Sequence, residues 1–448
     1  MNLSRHLLAA TLLAGAPLAQ AVDLMGVYEL AQSYDAELRA AEQRLSAAGE
    51  GPVQARAGLL PSLSLSVGRE LGQSRTTIES QRLDTTDIDS ERYSLEFSQS
   101  LYDDSNYARL EQSRAELTSA QGVYAEAWQD FLLRVSERYF DVLTALDSVR
   151  FARAEETALR RQFEQAEQRF EVGLAAVTDV HEARAVFDAA QARVILTENQ
   201  LEDAREALRE VTGRYFENYA RLIDDVPLDR PEPDVVEEWV ELALMANPSI
   251  IQQRGQRDAA ESGVRLARAG HLPTLSLTGG YSRNVNNEFV GRDPATQEAL
   301  ASAELINQGW QVGVTLDIPL FQGFAVQSRR REAGYSLNAA DETLDQVERS
   351  VIRRTENAFR AILAGTREVE SRRQALISAE SALEATNAGF EVGTRTIVDV
   401  LQSEQRFFQA ERDYSEARHQ FILNNLRLSQ AAGILNEEDL EEVNQLLR

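Results

Sequence analysis

The side chains that most often carry chemistry are thinly spread in this sequence. Its four histidines, His6, His181, His271 and His419, stand far apart, none in a ligand spacing such as H-E-x-x-H, and there is no cysteine. Acid–base, nucleophilic or metal chemistry has no convergent set of residues to draw on. No catalytic residue, cofactor or metal is therefore expected, and the chain does not read as an enzyme. What the sequence repeats is a glycine-broken, acid-bearing segment: "RFEVGLAAVTDV" at 169–180 returns as "GFEVGTRTIVDV" at 389–400. The chemistry open to such a segment is helix termination and the placement of charge. Gly173 and Gly393 suit the left-handed residue that closes a helix. Thr178, Asp179 and Asp399 fall in the first turn of the helix that follows, where N–H groups and the helix dipole favour a hydroxyl or an acid.

The elements that carry these turns also occur twice. "ARAGLLPSLSLS" from Ala55 returns as "ARAGHLPTLSLT" from Ala267, and "FSQSLYD" around Leu101 parallels "LDIPLFQ" around Leu320. Pro227, Pro231 and Pro233 mark the junction. The chain thus reads as an internal two-fold repeat, residues 22–231 and 232–448. Each half runs helix, strand, loop, strand, very long helix, glycine turn, long helix; a unit this long is a duplicated domain and not a solenoid repeat.

Residues 1–21 read as a secretory leader: Arg5 and His6, an apolar run from Leu7 to Leu18, then "AQA" ending at Ala21. No cysteine follows the cleavage site, so lipidation is not expected. All 46 basic residues are arginine, against 72 acidic ones, for a net charge of −26. Such a surface disfavours nucleic acid, which requires basic patches. The acidity fits plain solubility or a salty habitat, or else an electronegative lumen that favours cations. No run of 18 apolar residues follows the leader, so a membrane could be crossed only by strands.

The strands alternate. Leu63, Leu65 and Val67 are separated by serines, and Tyr93, Leu95, Phe97 and Leu101 follow. The second half gives Leu275, Leu277 and Tyr281, then Trp310, Val312, Val314, Leu316, Ile318 and Leu320. About ten residues per strand matches a tilted membrane-crossing strand. Tyr93, Tyr102, Tyr281, Trp310, Phe321 and Phe324 near the strand ends suit an interface girdle, although alternation alone fits a soluble antiparallel sheet equally. The segments 73–91 and 283–309 are expected as exterior loops. Four strands cannot close a membrane barrel, whereas three chains supply twelve. Ser62, Ser64, Ser66 and Gly68 would face inward and leave the lumen open.

Helices are expected from Asp104 to about Val172 and from Ala325 to Val392, each without an interrupting proline. At 1.5 Å per residue either would be about 100 Å long. Val135, Tyr139, Val142, Leu146 and Val149 step by four and three. Val180, Phe187, Val194, Leu201, Leu208 and Tyr215 recur every seven residues, as do Val400, Phe407, Tyr414, Phe421, Leu428 and Leu435. That period imposes a left-handed supercoil between neighbouring helices.

"GFEVGTRTIVDVL" followed by "FILNNLRLSQAAGILNEEDL", with "VGLAAVTDV" and "HLPTLSLT", resembles the TolC family of outer-membrane exit ducts over essentially the whole chain after the leader. The resemblance implies an α+β membrane protein: a homotrimer whose twelve-stranded β-barrel, four strands per chain, continues into a coiled-coil α-helical barrel. It implies a barrel among outer-membrane lipid in a Gram-negative bacterium, with the helical tunnel in the periplasm. It also implies a periplasmic adaptor protein and an inner-membrane transporter of RND, ABC or MFS type, and export of small molecules or proteins. By motif position, the family's gate lock falls on Thr178, Asp179, Phe390 and Arg395, its constriction ring on Asp399 and Gln402, and its adaptor-docking tips on Gly173, Leu174, Gly393 and Thr394. Asp179 with Arg395 would be a charge-assisted link. Three facing Asp399 carboxylates would repel, raising their pKa or attracting a cation. Phe390 and Gln402 depart from the family's usual Tyr and second Asp, which implies a lock with fewer polar links and one acidic ring. A trimeric coiled-coil stalk or adhesin is the alternative; it explains the heptads but not the internal, duplicated strand pairs. A porin-like uptake channel is disfavoured, since porins carry all their strands in one chain without long helices.

Overall fold

A computed structural model describes residues 21–78, 81–289 and 303–448. The expected leader, apart from Ala21, lies outside the described residues. The elements follow one order twice. First come α1 (Leu24–Tyr34), α2 (Ala36–Ala57), β1 (Ser62–Ile78), β2 (Gln81–Tyr102), α3 (Asp104–Glu171) and α4 (Val177–Thr212). Then come α5 (Val236–Ala246), α6 (Pro248–Ala269), β3 (Thr274–Phe289), β4 (Ala303–Asp317), α7 (Ala325–Glu391) and α8 (Ile397–Ala432), with α9 (Glu437–Gln445) after them. Among the described residues no helix is long and apolar enough to cross a membrane. Backbone contacts divide the chain into two compact units: residues 1–41, 125–248 and 348–448, and residues 42–124 and 249–347.

The second unit holds one antiparallel sheet in the order β1-β2-β3-β4. Its register sorts the side chains by chemistry. Leu65, Leu95, Tyr281 and Trp310 lie in one row across the four strands, and Leu63, Phe97, Gly279 and Val312 in the next. On the opposite face Ser64, Glu96, Gly280 and Gln311 form a row, beside Ser66, Ser94, Ser282 and Gly309. Among the described residues nothing covers the apolar face: Leu65 is 70 % exposed and Trp310 80 %. β1 and β4 are the edges of this open sheet. Nearby helices are tied by arginine. Arg265 on α6 reaches Asp104 at 3.0 Å and Glu111 at 2.7 Å on α3, and Arg257 reaches Asp341 on α7 at 3.2 Å.

The strands differ from the sequence expectation at both ends. They run to 17, 22, 16 and 15 residues instead of about ten. Much of the segment expected as a loop at 73–91 is paired, out to Ile78 opposite Gln81. A ladder forms wherever two backbones stay in register, and Thr and Ile favour extended backbone whether or not the surface is apolar. At the other end β4 stops at Asp317, so Ile318, Leu320, Phe321 and Phe324 lie beyond it. Pro319 has no N–H to continue a ladder.

The first unit is built around α3 and α8. Phe131, Leu132, Val135, Tyr139 and Val142 of α3 and Leu401, Phe421 and Leu428 of α8 are buried. The Tyr139 hydroxyl donates to the Ala220 carbonyl at 2.7 Å and to that of Val22 at 3.2 Å, anchoring the connecting segment. The heptad stripe is shorter than the sequence suggested. α4 and α8 end at Thr212 and Ala432, so Tyr215 and Leu435 fall outside them. Gly213 and Gly433 stop both helices in the left-handed conformation, at φ 71° and 78°. A carbon added at Gly433 would meet Asn247 Cα at 2.4 Å; one added at Gly173, with φ 75°, would meet nothing within 4 Å.

These two glycines separate backbone strain from packing. Gly173→Ala is expected to cost about 1–2 kcal/mol, the price of a left-handed L-residue. Gly433→Ala adds a backbone clash and should lower the thermal unfolding midpoint by clearly more; equal shifts would contradict the close approach at Asn247.

Candidate functional site

The two repeated turns are built alike at their first half. The Gly173 N–H bonds the Phe170 carbonyl at 2.9 Å and the Leu174 N–H that of Arg169 at 2.8 Å. The Gly393 N–H bonds the Phe390 carbonyl at 3.1 Å and the Thr394 N–H that of Gly389 at 2.8 Å. This pair of bonds is a Schellman closure, which requires a left-handed residue at the glycine. The four expected tip residues, Gly173, Leu174, Gly393 and Thr394, are all exposed. Val172, Leu174 and Val392 leave apolar side chains in the open at the turns, at 68 %, 71 % and 75 % exposure.

The second halves differ. At α8 the N-cap Thr396 and Asp399 form a reciprocal capping box: the Thr396 N–H donates to Asp399 Oδ2 at 2.9 Å and the Asp399 N–H to Thr396 Oγ1 at 3.3 Å. The Thr396 hydroxyl also donates to Oδ2, at 2.9 Å. At α4 the N-cap is Ala176, which offers no side-chain bond. The signature of the capped turn, Thr-x-x-Asp, is readable in the sequence. The hydrogen bonds from Thr396, backbone first, hold the Asp399 carboxyl below the ordinary carboxylate value, with the Arg395 charge assisting. A depressed carboxylate pKa means that the cap is intact above the ordinary value and is lost only as pH falls through the lowered one.

Asp179 is half-exposed, and Thr178, Arg395 and Gln402 are exposed. Asp179 and Arg395 form no ion pair among the described residues. Arg395 instead folds back over Gly389, where an added carbon would stand 2.8 Å from its Cγ. Phe390 has no hydroxyl to bond, but it has acquired a different partner. The guanidinium of Arg169 lies 4.6 Å from the centre of its ring. That cation–π contact joins the C-terminal end of α3 to that of α7, and such contacts are worth roughly 0.5–1 kcal/mol at exposed sites.

Behind the turns the two helix pairs share a small core. Leu159 and Ala166 of α3, Ala183 and Ala190 of α4, and Ile397 and Leu401 of α8 are buried together, with Phe163, Val180, Val186, Phe390 and Val398 packed against them. The Phe163 and Phe187 rings stack at 6.0 Å. Farther along, Glu155 of α3 is 1 % exposed and accepts from Arg193 of α4 at 2.8 Å and from Arg412 of α8 at 2.9 Å. Sequence reading missed Arg169 and Glu155, because Phe390 and Arg412 are far away in the chain and no local spacing marks them; it also missed Gly389, although Arg395 follows only six residues later. Among the described residues there is no group of three acidic or histidine side chains placed to hold a metal ion. His419 is buried and pushed down to about 4 by desolvation, so it is neutral; its Nδ1 lies 2.8 Å from Thr144 Oγ1.

A duplicated chain with an open, two-faced sheet and glycine-closed helix pairs has known counterparts. The family described as outer membrane efflux protein matches residues 27–214 and again 239–434. The chain belongs to that family. The outer membrane protein TolC of Vibrio cholerae is 36 % identical over 428 residues, covering 96 % of this chain and 94 % of the relative. The proteases secretion protein PrtF of Dickeya chrysanthemi is 28 % identical over 435 residues, covering 95 % and 91 %. Among solved structures CusC has the same fold, with a TM-score of 0.77 at 17 % identity over 92 % of each chain. As an outer membrane efflux protein the chain is an outer-membrane channel for efflux or secretion and not an enzyme.

The asymmetry of the turns is directly testable. Thr396→Ala should speed amide exchange at the start of α8 roughly five- to tenfold, the equivalent of about 1 kcal/mol for a lost cap. Ala176→Ser should slow exchange at the start of α4. No change in either variant would contradict the capping difference.

Proposed function

We propose that three copies of this chain join β1 of one to β4 of the next and close a twelve-stranded barrel in the outer membrane. The observation that carries this reading is the sheet: apolar on one face, small and polar on the other, with an open edge at each side. Backbone groups at such edges cannot remain unpaired in lipid, and closure by identical neighbours pairs all of them. The serine- and glycine-rich face then lines water, and the Leu, Val and Trp face meets acyl chains. Residues 22–231 and 232–448 are two copies of one unit, so a trimer presents six helix-pair turns.

Those turns form the periplasmic mouth of a helical tunnel. Asp179 and Arg395 have no ion-pair partner among the described residues of their own chain, which leaves them free to pair between neighbours, with Thr178 beside them and Arg169 on Phe390 holding each chain's helix pairs together. Asp399, kept ionised by its cap, supplies a ring of three negative charges, and Gln402 one turn farther adds none. The exposed residues Gly173, Leu174, Gly393 and Thr394 dock a periplasmic adaptor protein, which links the duct to an inner-membrane transporter of RND, ABC or MFS type. A relative named for protease secretion and others named for efflux support a duct that serves either route.

Conductance across a planar bilayer tests this reading. The purified protein should show a small, cation-favouring conductance that rises severalfold in Asp179→Ala and in Arg395→Ala. A folded trimer that never conducts would overturn the duct and favour a stalk. Conductance unchanged in both variants would remove the lock from this pair.

A further inference from the structure

One polar pair in the shared core of the helix turns is left half satisfied. Glu404 of α8 is 5 % exposed, and its Oε1 accepts from Gln162 Nε2 of α3 at 3.0 Å. The remaining oxygens of both groups, Glu404 Oε2 and Gln162 Oε1, are buried without any hydrogen-bond partner. Two orphaned acceptors on one bonded pair is a costly arrangement, since an unpaired buried oxygen forfeits its hydration and an ionised buried carboxylate forfeits more. One added proton resolves both. A carboxylic acid can donate its O–H to the amide oxygen while the amide N–H donates to the acid carbonyl, closing a ring of two hydrogen bonds.

We propose that Glu404 is a protonated carboxylic acid, joined to the Gln162 amide by two hydrogen bonds, and that this acid–amide clasp between α8 and α3 loosens as pH rises. The surroundings favour the neutral form. Burial is the main force raising the carboxyl above its ordinary value, the amide bond opposes it, and the negative charge of Glu155 on the facing helix raises it further. Among the described residues Glu155 is the charged group that acts on Glu404. The arginines near it, Arg193 on α4 and Arg412 on α8, are already bound to Glu155 and so are committed elsewhere. On its other side α8 meets α7 through neutral groups, Ser403 and Thr386 at 3.3 Å.

The sign follows from the raised value. The contribution of the clasp is complete below the ordinary carboxylate pKa and is lost as pH climbs through the raised one. Ionised Glu404 would set its negative, unpaired Oε2 against the Gln162 amide oxygen and its charge against that of Glu155. The clasp sits eight residues beyond the N-cap Thr396, about 12 Å along α8. It ties the second helix pair to the first, so loosening it frees the very contact that opening of the turns must break. That consequence, unlike the clasp itself, rests on the duct reading.

Infrared titration of the full-length, detergent-solubilised protein tests the clasp without needing a channel. Wild type should keep a carboxylic-acid carbonyl band at pH 6, above the ordinary carboxylate range, and lose it on further alkalinisation. Glu404→Gln should remove the band, and Gln162→Met should shift it by taking away the amide partner. Amide exchange along α8 should accelerate with pH more in wild type than in Glu404→Gln, which keeps a neutral side chain of the same shape. Absence of the band at pH 6, or its persistence in Glu404→Gln, would overturn the proposal. If Glu404→Gln does not fold, the wild-type titration and Gln162→Met decide it. A protein that shows the band but does not conduct would refute the duct and leave the clasp standing.

Discussion

The rest of the molecule depends on the unsatisfied edges of one small sheet. Four strands with an apolar face uncovered within the chain, and with backbone donors and acceptors at β1 and β4, are not a stable object alone in lipid or in water. In the proposed trimer, association of identical chains resolves both problems at once, because each β1 edge would meet a β4 edge and the apolar face would turn to acyl chains. The same demand explains why the sheet carries so little core of its own. Side chains that in a soluble protein would be covered by helices are here exposed, and in the proposed barrel they would meet the membrane while the small polar face would leave room for water.

Duplication fits that constraint. Two strands and two long helices per copy give a chain that contributes twice at every level, and the turns at Gly173 and Gly393 close with the same two backbone bonds. The copies have since diverged at the turns. One turn has a threonine–aspartate cap and the other an alanine; one carries Arg169 where the other has Gly389. The glycine makes room for Arg395, and the arginine covers Phe390. A chain without a tyrosine hydroxyl at this place thus holds its helix pairs by a charge on a ring, by the Glu155 arginine pair and by the core around Leu401.

Much of this architecture was legible in the residues. Helix ends at Gly173 and Gly393 could be placed because glycine acts locally, and the long helices emerged within a residue or two of where they were expected. The strands were legible as alternation but not in extent, since the paired backbone beyond Leu71 carries polar side chains and the eye follows apolar ones. Tyr215 and Leu435 kept a seven-residue rhythm past the helices' own ends. The contacts that hold the pairs together were not legible at all. Gln162 and Glu404 are 242 residues apart, and Glu155 lies 257 from Arg412. Each looks like an ordinary surface residue of a helix until the fold brings its partner.

The number of chains in the assembly tests the central claim most directly. Native mass spectrometry of the detergent-solubilised protein should show three copies per particle, the number that supplies twelve strands. A particle of one or two chains that remains folded in the membrane would contradict closure by β1 and β4, and with it the duct.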